Sequence, residues 1–114
     1  MTRLAQLIAA EEGFGLAGKA PTIRHNPGDL RHSPHSSHPG PPNAVGTIDT
    51  DSHGWEDLER QLRMYADRGL TLGEAIRIFA PANENNTDKY LRDVCAGLGM
   101  SDSTPMSQVL EVKV

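Results

Sequence analysis

Two adjacent glutamates near the N-terminus, Glu11 and Glu12, are the residues best placed for acid–base chemistry. They stand at the predicted end of an amphipathic helix, before Gly13, and a Pro27-Gly28 turn that can begin a small sheet follows. A carboxylic acid at a helix end that faces a sheet across a cleft is the arrangement in which a glycosidase holds its general acid beside a sugar oxygen. The negative end of the helix dipole disfavours charge on such a group, which suits a proton donor.

A second carboxylate would decide the mechanism of such an enzyme. Asp49 ends a predicted strand, where it could activate water or stabilise a developing cation, and Asp51 is the competing residue. A helix N-cap at Asp51 and a turn at Asp49 explain the same residues without catalysis. Side chains that could bind the substrate are those of Asn26, Thr50, Asn83 and Asn85. Capping and turn formation are the alternative explanation for the asparagines.

Four histidines within fourteen residues, at positions 25, 32, 35 and 38, raise the possibility of a metal site. They fall on a stretch rich in proline and serine, and no cysteine or paired acid completes a tetrahedral ligand set. We therefore expect no required metal and no cofactor, and we expect chelators to leave the activity unchanged.

Length and composition predict one domain over residues 1–114. The net charge of −4 and the lack of a basic stripe argue against nucleic acid and anionic membranes as partners. Cys95 is the only cysteine, which excludes an internal disulfide. The sequence has no recognisable signal peptide or transmembrane segment. We expect a monomer, made in the cytoplasm and not inserted in the membrane.

The pattern of apolar and turn-forming residues predicts an α+β fold, mainly helical, with a small antiparallel β region after the first helix. The first helix follows Thr2 as its N-cap, and residues 13–27 are expected to be irregular. Strands are predicted at residues 29–32 and 44–49, joined by an exposed, mobile loop over residues 33–43. Further helices are predicted from Asp51 or Ser52 to Gly69, from Thr71 to Pro81, from Asn86 or Thr87 to Gly97 or Gly99, and from Thr104-Pro105.

Four segments of the chain, taken together, form a recognisable pattern. They are Glu12-Gly13-Phe14, Asn26-Pro27-Gly28-Asp29-Leu30-Arg31, Ile48-Asp49 with Gly54-Trp55, and residues 79–87 with Tyr90. In this order they resemble the lysozyme-like superfamily, in particular the small phage and prophage muramidases and lytic transglycosylases that degrade peptidoglycan. The second segment is similar to the family's Asn-Pro-Gly-Asn-(Leu/Ile)-Arg turn, with Asp29 in place of the second Asn. The fourth is similar to the family's Ala-Pro-x-x-Glu-Asn-x-Thr-x-x-Tyr segment.

The resemblance implies a lysozyme-like fold and cleavage of the β-1,4 bond between N-acetylmuramic acid and N-acetylglucosamine. Glu12, directly before the glycine, matches the family's acid, and Glu11 is the competitor. Tyr90 would orient Glu12 or contact the N-acetyl sugar, although a core tyrosine explains the residue equally well. The substrate would be the glycan strands of the cell wall, reached from the cytoplasm through a holin-type pore or from a virion.

Two other classes of protein stay open at this point. One is a phage structural or wall-binding protein that keeps the lysozyme-like fold without catalysis, as Asp29 and the long His- and Pro-rich loop allow. The other is a small helical module whose apolar stripes bind a partner protein. For the enzyme, the nucleophile is water in a muramidase and the 6-hydroxyl of the sugar in a lytic transglycosylase.

Overall fold

The computed structural model describes residues 1–37 and 45–114, which form an α+β fold with a two-stranded antiparallel sheet. The described residues group into two units. The sheet unit comprises Ile8–Arg60, and the helical unit comprises Met1–Leu7 with Gln61–Val114. The elements are α1 (Arg3–Glu12), α2 (Ala20–Ile23), β1 (Ser36–Ser37), β2 (Thr47–Ile48), α3 (Asp51–Asp67), α4 (Leu72–Phe79), α5 (Thr87–Leu98) and α6 (Met106–Val109).

Helix α1 has the ends that its sequence predicts. The Thr2 hydroxyl accepts a hydrogen bond from the backbone N–H of Ala5 at 3.1 Å, which caps the N-terminus. At the other end Gly13 takes a φ of +86°, and the N–H of Phe14 donates to the carbonyl of Ala9 at 3.0 Å. This is a Schellman motif, so Glu12 is the last helical residue.

The stretch between α1 and the sheet is more regular than predicted. Residues 13–27 were expected to be irregular, yet Ala20–Ile23 form the short helix α2, which Pro21 favours by its fixed φ at the start of the helix. Arg24 and His25 then leave the helix, with His25 at a φ of +51°.

The sheet forms partly where the sequence predicts it. Thr47–Ile48 lie inside the second predicted strand, but their antiparallel partner is Ser36–Ser37 rather than residues 29–32. The prediction of a strand at 29–32 was wrong because these residues close the turn that follows Asn26. The prediction of a loop from residue 33 was wrong for its first part, since Ser36 pairs with Ile48. Residues 38–43 of that loop lie outside the described residues.

The N-cap of helix α3 lies one residue before Asp51, the nearer of the two predicted caps. The Thr50 hydroxyl accepts from the backbone N–H of His53 at 3.1 Å, so Thr50 is the N-cap and Asp51 is the first helical residue. The helix ends as predicted before Gly69, which has a φ of +73°. Leu58, Leu62 and Tyr65 of the predicted apolar face are buried, whereas Trp55 is half-buried.

The helical unit follows its local sequence signals closely. A capping box joins Thr71 and Glu74 at the start of α4, and the helix ends before Pro81. The Asn86 side chain caps α5, and Gly99 in the left-handed region terminates it. Helix α6 is present where predicted, but Pro105, expected as its first helical residue, is its N-cap. Within residues 1–37 and 45–114, none of the helices has both the length and the apolar character needed to cross a bilayer.

Candidate functional site

The predicted acid, Glu12, lies at the C-terminal end of α1 in the sheet unit. The next two residues reverse the chain, and the Phe14 ring packs edge-on against Trp55 of α3, with ring centroids 5.3 Å apart and an interplanar angle of 75°. Glu11 and Glu12 are both half-buried, so exposure does not distinguish the two glutamates. The Phe14–Trp55 contact fixes the turn that follows the acid.

The turn at Asn26 is built around a buried side-chain amide. Nδ2 of Asn26 donates to the carbonyl oxygens of Leu30 at 2.8 Å and Gly46 at 2.9 Å, and Oδ1 accepts from the N–H of Leu30 at 2.9 Å. The residue is 0% exposed. The geometry therefore favours the structural alternative for Asn26 over the predicted contact with substrate, because no polar atom of its side chain faces solvent.

The same turn is packed tightly against the start of α3. A Cβ placed on Gly54 would lie 2.2 Å from the carbonyl oxygen of His25 and 2.7 Å from Cδ of Pro27, so only glycine fits at this position. On its other side the turn is hydrogen-bonded to β2, since the N–H of Ile48 donates to the carbonyl of Arg24 at 2.9 Å.

Asp29 in this turn is strained in two respects. Its φ is +52°, a conformation that asparagine adopts more readily than most residues. Its Oδ1 atom is buried without a hydrogen-bond partner among the described residues. Burial raises the pKa of the Asp29 carboxyl, and the nearby charges of Arg24 and Arg31 oppose this effect only in part.

We expect Asp29→Asn to stabilise the protein at neutral pH by about 1 kcal/mol, a rise in Tm of about 4 °C, because the buried charge is removed and the backbone conformation is kept. Because the folded-state pKa of Asp29 is raised, the wild-type folded state gains stability as the pH falls, so the advantage of the variant should shrink towards about pH 4. Thermal denaturation at both pH values measures this. Asp29→Ala, which disfavours the left-handed backbone, should give no gain; equal gains in both variants would contradict the explanation.

Asp49, the predicted second carboxylate, is an exposed residue paired with a histidine of α3. Its Oδ1 atom lies 2.7 Å from Nδ1 of His53 and 3.0 Å from the backbone nitrogen of Thr50. The hydrogen bond from His53 lowers the pKa of Asp49, and the same bond raises the pKa of His53. The Asp49 carboxylate is thus ionised at neutral pH. An ionised carboxylate can stabilise a developing cation, but it cannot donate a proton.

Thr50, a predicted substrate ligand, has its hydroxyl oxygen engaged as the N-cap acceptor of α3. The competing carboxylate Asp51 forms a similar pair to that of Asp49, with Oδ1 lying 2.7 Å from Nδ1 of His25. Both pairs are on the exposed start of α3. Capping and pairing therefore account for each of these polar side chains.

His35 is held by a buried carboxylate on α3. Asp57, whose side chain is 2% exposed, accepts from Nδ1 of His35 at 2.6 Å and from the backbone N–H of His35 at 3.0 Å. Burial raises the pKa of Asp57, but these hydrogen bonds and the nearby Ser33 hydroxyl outweigh it and lower the pKa overall. The predicted loop is thus exposed at His35, as expected, but this residue is attached to α3 by hydrogen bonds to Asp57.

A group of residues that sequence reasoning missed lies at this attachment point. The rings of His35 and His53 are stacked, with centroids 4.0 Å apart and an interplanar angle of 9°. Each of these two histidines and Glu56 offers a ligand atom within 4.8 Å of the other two. The sequence signal was the spacing of His53 and Glu56, three residues apart on one helix face. The third residue of the group, His35, is distant in sequence and could be found only from the tertiary structure.

The remaining predicted residues, Asn83, Asn85 and Tyr90, belong to the helical unit. Asn83 is exposed, Asn85 is half-buried, and Tyr90 is 5% exposed. The contact between Tyr90 and Glu12 stays a prediction. The helical unit also contains a pocket of about 470 Å³ that includes none of the predicted site residues; its lining is Arg77, Asp88, Leu91, Arg92, Cys95, Ser101 and Asp102.

Comparison with protein-family models, with curated proteins and with solved structures found no match for the chain.

Proposed function

We propose that this chain is a peptidoglycan-degrading glycosidase with a lysozyme-like fold, in which Glu12 is the general acid. It would cleave the β-1,4 bond between N-acetylmuramic acid and N-acetylglucosamine. The observation that carries the proposal is the convergence of three resembling segments within the sheet unit. Phe14 of the first packs on Trp55 of the third, and the turn at Pro27 of the second packs on Gly54.

Convergence matters because the three segments are separated in the chain and need not meet. The turn that follows Asn26 is joined to β2 by the bond from Gly46 N–H to the Leu30 carbonyl at 3.0 Å, and β2 leads directly to Asp49. An acid at a helix end and an ionised carboxylate after a strand therefore belong to one folded unit. This combination supports glycoside cleavage better than it supports a helical partner-binding module.

In the proposed reaction Glu12 donates its proton to the glycosidic oxygen while the bond from that oxygen to C1 of the muramic acid breaks. The electron pair of the bond stays with the departing oxygen, and positive charge develops at C1. Attack at C1 by the 6-hydroxyl of the same sugar gives a 1,6-anhydro end, and the proton of that hydroxyl passes to the Glu12 carboxylate, which restores the acid. Attack by water gives a reducing end, and the proton of the water passes to a carboxylate of the site. We favour the 6-hydroxyl, because Glu12 is the carboxylate that more than one line of reasoning supports.

Mass spectrometry of purified peptidoglycan after digestion tests the function and its product together. Release of muropeptides with 1,6-anhydro ends is the expected result. Reducing muramic acid ends would keep the glycosidase and replace its nucleophile with water. Binding to the wall without any cleavage, also in a turbidity assay on permeabilised Gram-negative cells, would favour the non-catalytic wall-binding alternative.

Asp49→Asn should reduce the rate of cleavage by less than about tenfold if Glu12 acts as the single acid, since no water-activating base is then needed. Asp51→Asn is the matched control, because each aspartate is exposed and has Oδ1 2.7 Å from a histidine Nδ1. Initial rates of muropeptide release measure both variants. A loss of about a hundredfold in Asp49→Asn alone, with reducing ends in the products, would reject the single-acid mechanism in favour of a muramidase.

A further inference from the structure

We propose that His35, His53 and Glu56 form a binding site for one divalent transition-metal ion, for which Zn²⁺ is the best match. Two imidazoles and one carboxylate are a common three-residue ligand set for zinc, with water in the fourth position. This site is separate from the proposed glycosidase chemistry, and either proposal can fail without the other.

The hydrogen bonds of the two histidines leave the same nitrogen available on each ring. Nδ1 of His35 is bonded to Asp57 at 2.6 Å, and Nδ1 of His53 is bonded to Asp49 at 2.7 Å. A carboxylate that accepts from Nδ1–H selects the tautomer whose lone pair is on Nε2, and it orients the ring. Neither Nε2 has a hydrogen-bond partner in the part of the chain that the structure describes. Two preoriented donors of this kind are the usual outer support of a histidine-bound metal.

The third ligand follows from the geometry of α3. His53 and Glu56 are three residues apart, so their side chains lie on the same face of the helix. Tetrahedral zinc holds its ligand atoms about 3.4 Å apart, as bonds of about 2.0–2.1 Å require. The ligand atoms offered by the three residues here all lie within 4.8 Å of one another, so the side chains must rotate to bring them around one ion. Glu56 is exposed and can make this movement freely.

Burial and charge also favour a cation at this place. The side chains of His35 and His53 are 36% and 38% exposed, so an ion can enter and keep a water ligand. Three carboxylates, those of Asp49, Glu56 and Asp57, surround the two stacked rings. His35 directly precedes β1, whereas His53 and Glu56 lie in the first turns of α3. A bound ion would therefore link these two parts of the chain.

Isothermal titration of the untagged, chelator-treated protein with zinc chloride tests the site. We expect one Zn²⁺ per chain with a Kd on the order of micromolar, and a rise in Tm of about 5 °C when the ion is in excess. His53→Ala and Glu56→Gln should each weaken binding by tenfold or more. Asp49→Asn, which releases the orientation of His53, should weaken binding by about tenfold.

His25→Ala and Asp51→Asn are the matched controls, because this exposed pair has the same Nδ1–Oδ1 distance but takes no part in the group. Both controls should bind zinc like the wild type. Several weakly bound ions per chain, or binding that His53→Ala and Glu56→Gln leave unchanged, would overturn the proposal and indicate adventitious capture by the other histidines. Absence of binding in the folded wild type would also overturn it.

Discussion

Replacement of Glu12 by glutamine is expected to reduce peptidoglycan cleavage by a hundredfold or more, because it removes the proton that the departing oxygen needs. The side chain keeps its size and shape, so we expect the free energy of unfolding to change by less than about 1 kcal/mol. Rates of muropeptide release and thermal denaturation of the same preparation check the two parts of this prediction.

Glu11→Gln is the matched control for Glu12→Gln, since the neighbouring glutamates are both half-buried at the end of α1. The control should keep most of the activity. An inactive Glu11→Gln with an active Glu12→Gln would move the role of the acid to Glu11. Full activity in both variants would contradict the proposed mechanism, whereas a wild type that binds peptidoglycan without cleaving it would favour the wall-binding alternative.

Replacement of Asn26 by alanine is expected to cost about 3 kcal/mol of folding free energy, or a fall in Tm of about 10 °C. Two carbonyl oxygens and one N–H would lose the hydrogen bonds that the buried amide now makes with Leu30 and Gly46. Water cannot replace these bonds without opening the turn, because the residue is fully buried. A loss of this size is a large fraction of the stability of a small protein.

Asn83→Ala provides the comparison, because Asn83 was predicted as a substrate ligand on the same grounds but is exposed. We expect its free energy of unfolding to stay within about 0.5 kcal/mol of the wild type. Urea denaturation of both variants measures the difference. A normally stable Asn26→Ala that has lost only its cleavage activity would show that Asn26 binds substrate and would contradict the structural function.

Helix ends were predictable from the sequence because caps are local. Two N-terminal caps, Thr2 and the Thr71–Glu74 capping box, hydrogen-bond backbone groups within three residues of themselves. Two glycines, Gly69 and Gly99, adopt the left-handed conformation that ends a helix. Local chemistry also placed Glu12 at the end of α1, since the glycine that follows permits the left-handed turn. The predicted N-cap of α3 was wrong by only one or two residues, because consecutive residues there, Thr50, Asp51 and Ser52, can each cap a helix.

The strand partner could not be predicted, because pairing depends on which distant segment reaches β2. Residues 29–32 have the composition of a short strand, but the buried Asn26 amide draws their backbone into a turn. The segment at Ser36 and Ser37 lacks the alternating apolar residues that predict a strand. It nevertheless pairs with Thr47–Ile48, next to the hydrogen bond between His35 and Asp57. A side-chain hydrogen bond across 22 residues leaves no periodic signal in the chain.

The sequence by itself determined the candidate acid, the helices other than α2 and the α+β order, since each depends on neighbours along the chain. Only the tertiary structure decided that Asn26 is a buried scaffold residue and that His35 stacks on His53 near Glu56. The histidines counted along residues 25–38 include His35 but neither His53 nor Glu56, because a ligand group is defined by distance in space. Burial and the convergence of side chains from separate elements are properties of the folded chain, and no local pattern encodes them.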